Sequence, residues 1–311
     1  MDDLPRRDVT WVFLGPQRLR AGWAVLLFAG FWWMLLNATG FLIGPLLHID
    51  PDAPLTPLSA LTVEVWQLGS AIAATLVMSL LERKPALSYG YSGRARGARF
   101  FFGMVWGFVA ISVLVLALWR LGYVSLEKPV VGAGYALHHA ALWGLVFLLT
   151  GFFEESLFRG YAQFTLARGI GFWWGALLVA ALFGVFHHAN PGESPVGLVA
   201  AGSVGLVFCL SLWYTGSLWW AVGFHAAWDW GQTFFYGTAD SGMVAQGHWL
   251  REQPAGAVLW SGGSTGPEGS VLILPLLAVI ALGMWLWWGR RLRSPFAGGA
   301  WRAMDPRDPT D

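Results

Sequence analysis

Cysteine is almost missing from this sequence: the 311 residues hold one, Cys209, set inside an apolar run. No disulfide framework and no cysteine-based zinc site can be built from it, and Cys209 reads as a small apolar packing residue. Charge is scarce too. Only 12% of the residues are charged, about half the share of a soluble domain, so a water-soluble fold of this size would lack polar surface. The net charge is +1, and nothing in it would attract nucleic acid, which is excluded as a partner. Lysine occurs twice against 17 arginines, a taste in composition without functional content. The helix motif H-E-x-x-H is absent, as is a Gly-x-Ser-Gly nucleophile inside an apolar run, so zincin-type and rhomboid-type chemistry are set aside. There is no internal repeat, and low complexity is confined to the Gly/Ser-rich patch Ser261–Ser270.

What the chain has in quantity is long apolar runs, and 56% of its residues are hydrophobic. About 20 apolar residues cross the hydrocarbon core of a bilayer as a helix. The runs near 22–46, 58–81, 100–119, 137–153, 172–189, 197–214, 217–236 and 271–288 predict an all-α, polytopic membrane bundle of about eight spans. The first run is too long for a signal-peptide core and should stay as a helix. The transmembrane domain is expected over 22–288, with tails at 1–21 and 289–311 and a motif-bearing core at about 137–236. With the N-terminus inside, the cytoplasmic segments hold 16 of the 19 Lys and Arg. Only Arg120, Lys128 and Arg251 fall outside, which predicts both termini in the cytoplasm. Trp pairs at 173–174, 219–220 and 287–288 suit an aromatic belt, whereas Trp32–Trp33 lie deeper as packing residues. Scarce lysine and the lack of an organelle signal suit a bacterial cell (inner) membrane. The outer segment 237–269 is the longest loop and carries no readable signal.

Ionisable side chains are expensive in a bilayer and mark functional candidates. Three groups stand out. In the first, Glu155 and Arg159 are spaced i,i+4 with the acid first, the favourable order for a helical ion pair. Glu154 points about 100° away around the helix and has no such partner, so it is left for chemistry. The second group is Phe183-Gly-Val-Phe-His187-His188. The third is His225-Ala-Ala-Trp-Asp229, again i,i+4 on one face. The fourth run should continue as helix to Gly169, where Gly169-Ile170-Gly171 reverses the chain. Glu154 then lies 16 residues before Ile170 and His187 lies 17 after it, at matching depths of roughly 24 Å from the turn. Taken singly, each group has a structural reading: an ion-pair clamp for Glu155–Arg159, hydrogen bonds between helices for His187 and for His225 with Asp229. Glu64 and Gln67, i,i+3 on the second span, read as interhelical hydrogen bonders; His138 and His139 read as interfacial; Phe183 reads as packing.

In this order the three groups resemble the signature of the CAAX prenyl protease and bacteriocin-processing family of intramembrane proteases, also called the Abi family. Its pattern is E-E-x-x-x-R, then F-x-x-x-H, then H-x-x-x-[N/D] on successive spans. Here these read Glu154-Glu155-Ser-Leu-Phe-Arg159, Phe183-Gly-Val-Phe-His187 and His225-Ala-Ala-Trp-Asp229, and the likeness covers roughly Trp143–Phe235. The resemblance implies hydrolysis of a peptide bond in a membrane-associated protein or peptide. Glu154 would be the general base and His187 would orient the water. His225 and the Asn/Asp position would stabilise an oxyanion or bind a metal. Metal-dependent and metal-free versions both stand: Glu154, His187, His225 and Asp229 would be the ligands of zinc or another divalent metal ion. Asp229 replaces the Asn of members that cut prenylated proteins. If ionised it would repel an oxyanion, so it orients His225 or binds metal. A different class of function uses the same residues, either as a catalytically silent scaffold or immunity protein or as a proton-coupled carrier. The carrier predicts two related halves with broken helices, and no such symmetry is visible.

Overall fold

The computed structural model describes residues 10–15, 18–47, 55–127 and 132–297. Nine helices carry the architecture of the described residues: α1 (Ala21–Leu47), α2 (Pro57–Glu82), α3 (Arg96–Leu121), α4 (Ala133–Glu154), α5 (Gln163–Ile170), α6 (Phe172–Phe186), α7 (Pro195–Thr215), α8 (Trp219–Trp230) and α9 (Ile273–Met284). Their ends follow local chemistry. Thr56 opens α2 with a reciprocal capping box: its hydroxyl accepts from the Ser59 N–H at 3.2 Å while Ser59 Oγ accepts from the Thr56 N–H at 3.1 Å. Ser194 caps α7 by accepting from the Gly197 N–H at 3.1 Å. Each of these helices begins with proline, whose missing N–H costs nothing there. Gly216 ends α7 at φ 62°, in the left-handed region that glycine enters freely.

The chain is a multi-pass helical bundle, as its runs predict. Six stretches are long and apolar enough to cross a membrane: Ala21–Leu42, Pro57–Glu82, Arg96–Leu121, Gly134–Ile170, Phe172–Ala189 and Pro195–Thr215. The last two runs read from the sequence are helical but shorter. The segment 219–236 is α8 continued by a π-helical turn at Gly231–Tyr236, and Ile273–Gly289 is similarly α9 with a wider last turn. The bundle turns apolar side chains outward and keeps polar ones inside. Phe41, Leu58, Leu80 and Leu137 are more than two-thirds exposed, while Glu155, Arg159, Gln163 and Gln232 are fully buried. Such a surface suits lipid, where apolar side chains face hydrocarbon and polar groups must find partners inside.

At the centre stands α8, with Ala221, Val222 and Phe224 at zero exposure. Its closest partner is α3. A Cβ added at Gly103 would run into the carbonyl of Trp220, one at Gly107 into the carbonyl of Phe224, and one at Gly223 into the carbonyl of Phe100. The two backbones therefore meet without side chains between them, the close packing that holds helices together where lipid removes the hydrophobic drive. At the other side of α8 lie α4 and α7. The long segment 237–272 is ordered: β1 (Val124–Glu127) pairs antiparallel with β2 (Arg251–Pro254), in register Val124↔Pro254. The tails expected at 1–21 and 289–311 fall mostly outside the described residues.

Candidate active site

The fourth run does continue as helix to Ile170, but it is not a uniform one. From Glu155 to Ala162 its hydrogen bonding widens to π register, and the chain kinks at Gly160. Turns of this kind recur at functional sites because they re-aim side chains. Here the turn begins at the acidic pair. Glu154 closes α4 and faces a cavity of about 300 Å³, whereas Glu155 turns into the bundle and is fully buried.

The structure gathers five of the six candidate residues into one chain of contacts. Arg159 Nη1 lies 3.1 Å from Glu155 Oε1, and its guanidinium sits 4.1 Å above the Phe183 ring centroid. That stacking compensates a buried cation with an aromatic face, so Phe183 does more than fill space. Glu155 Oε1 also lies 3.2 Å from His225 Nδ1. On the opposite edge of the imidazole, Nε2 is 3.5 Å from Glu154 Oε2 and 3.5 Å from Asp229 Oδ2. The acid that orients the inner nitrogen of His225 is therefore Glu155, itself anchored by Arg159. Asp229 stands at the outer nitrogen beside Glu154. Gly205 on α7 makes this possible, since a Cβ there would come within 2.5 Å of Arg159 Nη2.

His187 begins a single 3-10 turn after α6 and lines the same cavity. Its Nδ1 donates to the Phe183 carbonyl at 2.8 Å. A carbonyl only accepts, so the proton of the neutral ring is on Nδ1 and Nε2 is the acceptor. Among the described residues no hydrogen bond or ion pair joins His187 to Glu154, His225 or Asp229. Nor does any group of three or more His, Cys, Asp and Glu side chains among them have a disposition that could hold a metal ion. The four-ligand set drawn from the sequence does not fit a zinc-type site. His187 stands apart at a helix end, and the two carboxylates share one face of His225 rather than spreading around a common centre.

The cavity also contains acids that the sequence did not single out for chemistry. Glu64 and Gln67, assigned to interhelical hydrogen bonds, line it from α2, and Glu64 Oε2 has no hydrogen-bond partner. Two more acids come from the unreadable outer segment. Asp240 accepts from Gln232 Nε2 and Thr233 Oγ1, each at 2.8 Å. Glu268 accepts from Trp228 Nε1 at 2.7 Å and from Ser241 Oγ at 2.8 Å. Burial, and then the neighbouring Glu268, push the Asp240 carboxyl up to about 8. No local pattern marks these residues, because each reaches the cavity only through the fold of the 237–272 segment. His138 and His139 lie in the first turns of α4, with His139 Nδ1 bonded to the Tyr135 carbonyl of its own helix. Cys209 is buried.

Comparison with curated proteins finds no match, and neither does comparison with solved structures. A family model does match, over residues 136–231, the stretch that runs from the start of α4 through α8 and contains Glu154, Glu155, Arg159, Phe183, His187, His225 and Asp229. The helical core of the chain is thus similar, over residues 136–231, to the family described as Type II CAAX prenyl endopeptidase Rce1-like.

Proposed function

We propose that the protein is an intramembrane endopeptidase that hydrolyses a peptide bond of a membrane-associated protein or peptide with a water activated by Glu154. The supporting observation is the asymmetry of the two adjacent acids. Glu155 is fully buried and committed on Oε1 to Arg159 and His225, while Glu154 lines the cavity, with Oε2 3.5 Å from His225 Nε2. A general base has to stand at the cavity that would admit the water. His187, with Nε2 as acceptor, would hold the second side of that water. His225, tethered through Nδ1, would present Nε2 towards the carbonyl oxygen of the substrate, and in its imidazolium form would donate to the developing oxyanion. The charge of Arg159 reaches the imidazole through Glu155. As the water attacks, its proton passes to Glu154 and from there to the leaving amine, which balances the reaction without a metal. The setting proposed for this chemistry is the cell membrane, with the transmembrane domain at 22–288 and both tails in the cytoplasm.

The test is digestion of a membrane-peptide mixture by the reconstituted protein. Wild type should cleave, Glu154→Gln should lose on the order of 10²–10⁴-fold in rate while unfolding at the same temperature, and chelator-treated protein should keep its activity. A Glu154→Gln protein that cleaves like wild type would sink the assignment. Loss of activity on chelation, regained with zinc, would return the metal-dependent mechanism. A silent scaffold or carrier would show no cleavage in any form.

A further inference from the structure

The two ends of the bundle differ in chemistry and in access to the cavity. One end is formed by the connection 83–95, the turn at Gly171, the turn at Gly216 and the segment after α9. These belong together: the Leu218 N–H donates to the Gly90 carbonyl at 2.9 Å, Arg168 pairs with Glu82 at 3.0 Å, and the Phe172 and Phe296 rings are 4.5 Å apart. The other end is formed by the start of α2, the segment 187–194 and the outer loop. There Gln246 N–H donates to the Leu55 carbonyl at 3.0 Å and Asn190 Nδ2 to the Ser241 carbonyl at 2.9 Å.

Every connection that lines the cavity comes from this second end: Leu55, Asn190, Ser241, Met243 and Ala245 stand around its mouth, and no residue of the first end's connections reaches it. Towards the first end the buried side chains of Phe153, Phe158, Tyr161, Phe164 and Leu218 pack below Glu155 and Arg159. A separate cavity of about 440 Å³ at that end, lined by Leu87, Tyr91, Ser156 and Gly160 among others, includes neither Glu154 nor either histidine. The charges divide along the same line. Arg83, Lys84, Arg94, Arg96, Arg99 and Arg168 lie at the first end, joined by Arg290, Arg291 and Arg293 after α9, with Glu82 as the acid among them. At the second end the described residues supply Arg120 and Arg251 against Glu127, Glu193, Asp240, Glu252 and Glu268.

Basic residues in short connections stay on the cytoplasmic side. We therefore propose that the cavity opens on the extracytoplasmic side of the membrane, and that its substrate is a polypeptide segment presented from outside the cytoplasm. The word substrate rests on the proteolysis reading above; the direction of the opening does not. A cytoplasmic C-terminal tail, the substrate that the family description suggests, would in this orientation meet the end whose connections do not line the Glu154 cavity. A secreted peptide or the outer-facing segment of a membrane protein would meet the end whose connections do.

Cysteine accessibility tests the direction without needing turnover. In a Cys209→Ala background, Met243→Cys (at the mouth, 37% exposed) and Gly97→Cys (where a side chain meets open space) are exposed in intact cells to a membrane-impermeant maleimide. Met243→Cys should label in intact cells, and Gly97→Cys only after permeabilisation. Val244→Cys, 69% exposed beside the mouth, repeats the measurement if Met243→Cys fails to accumulate. The reversed pattern, or the same labelling at both ends, overturns the proposal. If labelling follows expectation while no cleavage occurs, the protease reading fails and the orientation stands.

Discussion

Arg159 has zero exposure, yet it is a full charge held between Glu155 at 3.1 Å and the face of Phe183. Its Nε and Nη2 have no hydrogen-bond partner among the described residues, so the ion pair and the surrounding faces of Phe183, Phe208 and Phe158 offset its burial. Removing one partner of a buried pair strands the other, which costs on the order of 3–5 kcal/mol. Glu155→Gln should therefore destabilise the protein by that order, read as a lower unfolding temperature in detergent. It should also free His225, because the same Oε1 holds its Nδ1. Glu154→Gln should leave the unfolding temperature unchanged. Equal unfolding temperatures for the two variants would remove the distinction between the acids. Gly205 belongs to the same unit. Gly205→Ala must displace the guanidinium, and we expect a loss of about 1–3 kcal/mol, the usual range for overpacking; a neutral result in the same melt would show that Arg159 can move aside.

Among the elements, α8 depends most on its neighbour. The approach of α3 to α8 is set by Gly103 and Gly107 on one helix and Gly223 on the other, with carbonyl oxygens where a Cβ would stand. Backbone cannot step aside as a flexible side chain can. Gly107→Leu should push α3 off α8, shift His225 and Asp229 relative to Glu154, and abolish both stable folding and cleavage. Gly22→Leu, at a position with open space around its Cβ, is the control that should leave both intact. If Gly107→Leu melts with wild type, the helices do not pack as described. The π turn at Glu155–Ala162 works at the same scale: it follows directly on the acidic pair and carries Glu155 and Arg159, which meet at 3.1 Å.

Over the whole molecule, the segment 237–272 lines one end of the cavity and brings Asp240 and Glu268 to it. Burial pushes the Asp240 carboxyl up to about 8 and that of Glu252, in β2, up to about 7. In the unfolded chain both titrate near 4. Between these values the folded loop binds more protons than the unfolded one, so its stability falls as pH rises from about 4 to about 8. Limited proteolysis of the segment should be slower at pH 6 than at pH 8.5, and Asp240→Asn should flatten most of that difference. The opposite pH trend would contradict the burial of these carboxyls. Reporter fusions at the two termini should both report cytoplasm; an external C-terminus would break the even count of spans.

By itself the sequence determined what local chemistry and simple periodicity control. Long apolar runs require helices in a bilayer because an isolated span can satisfy its backbone polar groups in no other way, and glycine and capping residues set where those helices end. The i,i+4 spacings likewise determined that Glu155 can meet Arg159 and that His225 and Asp229 share a face, since these follow from the pitch of one helix. Other features depended on contacts between segments distant in the chain. The π register of Glu155–Ala162, the tether from Glu155 to His225 across 70 residues, and the lack of a direct bond from His187 to Glu154, His225 or Asp229 among the described residues all arise that way. So do the entry of Glu64, Asp240 and Glu268 into the cavity and the end at which it opens. No periodicity records them, because each is decided by how closely two backbones can pack and by which buried charge must find a partner.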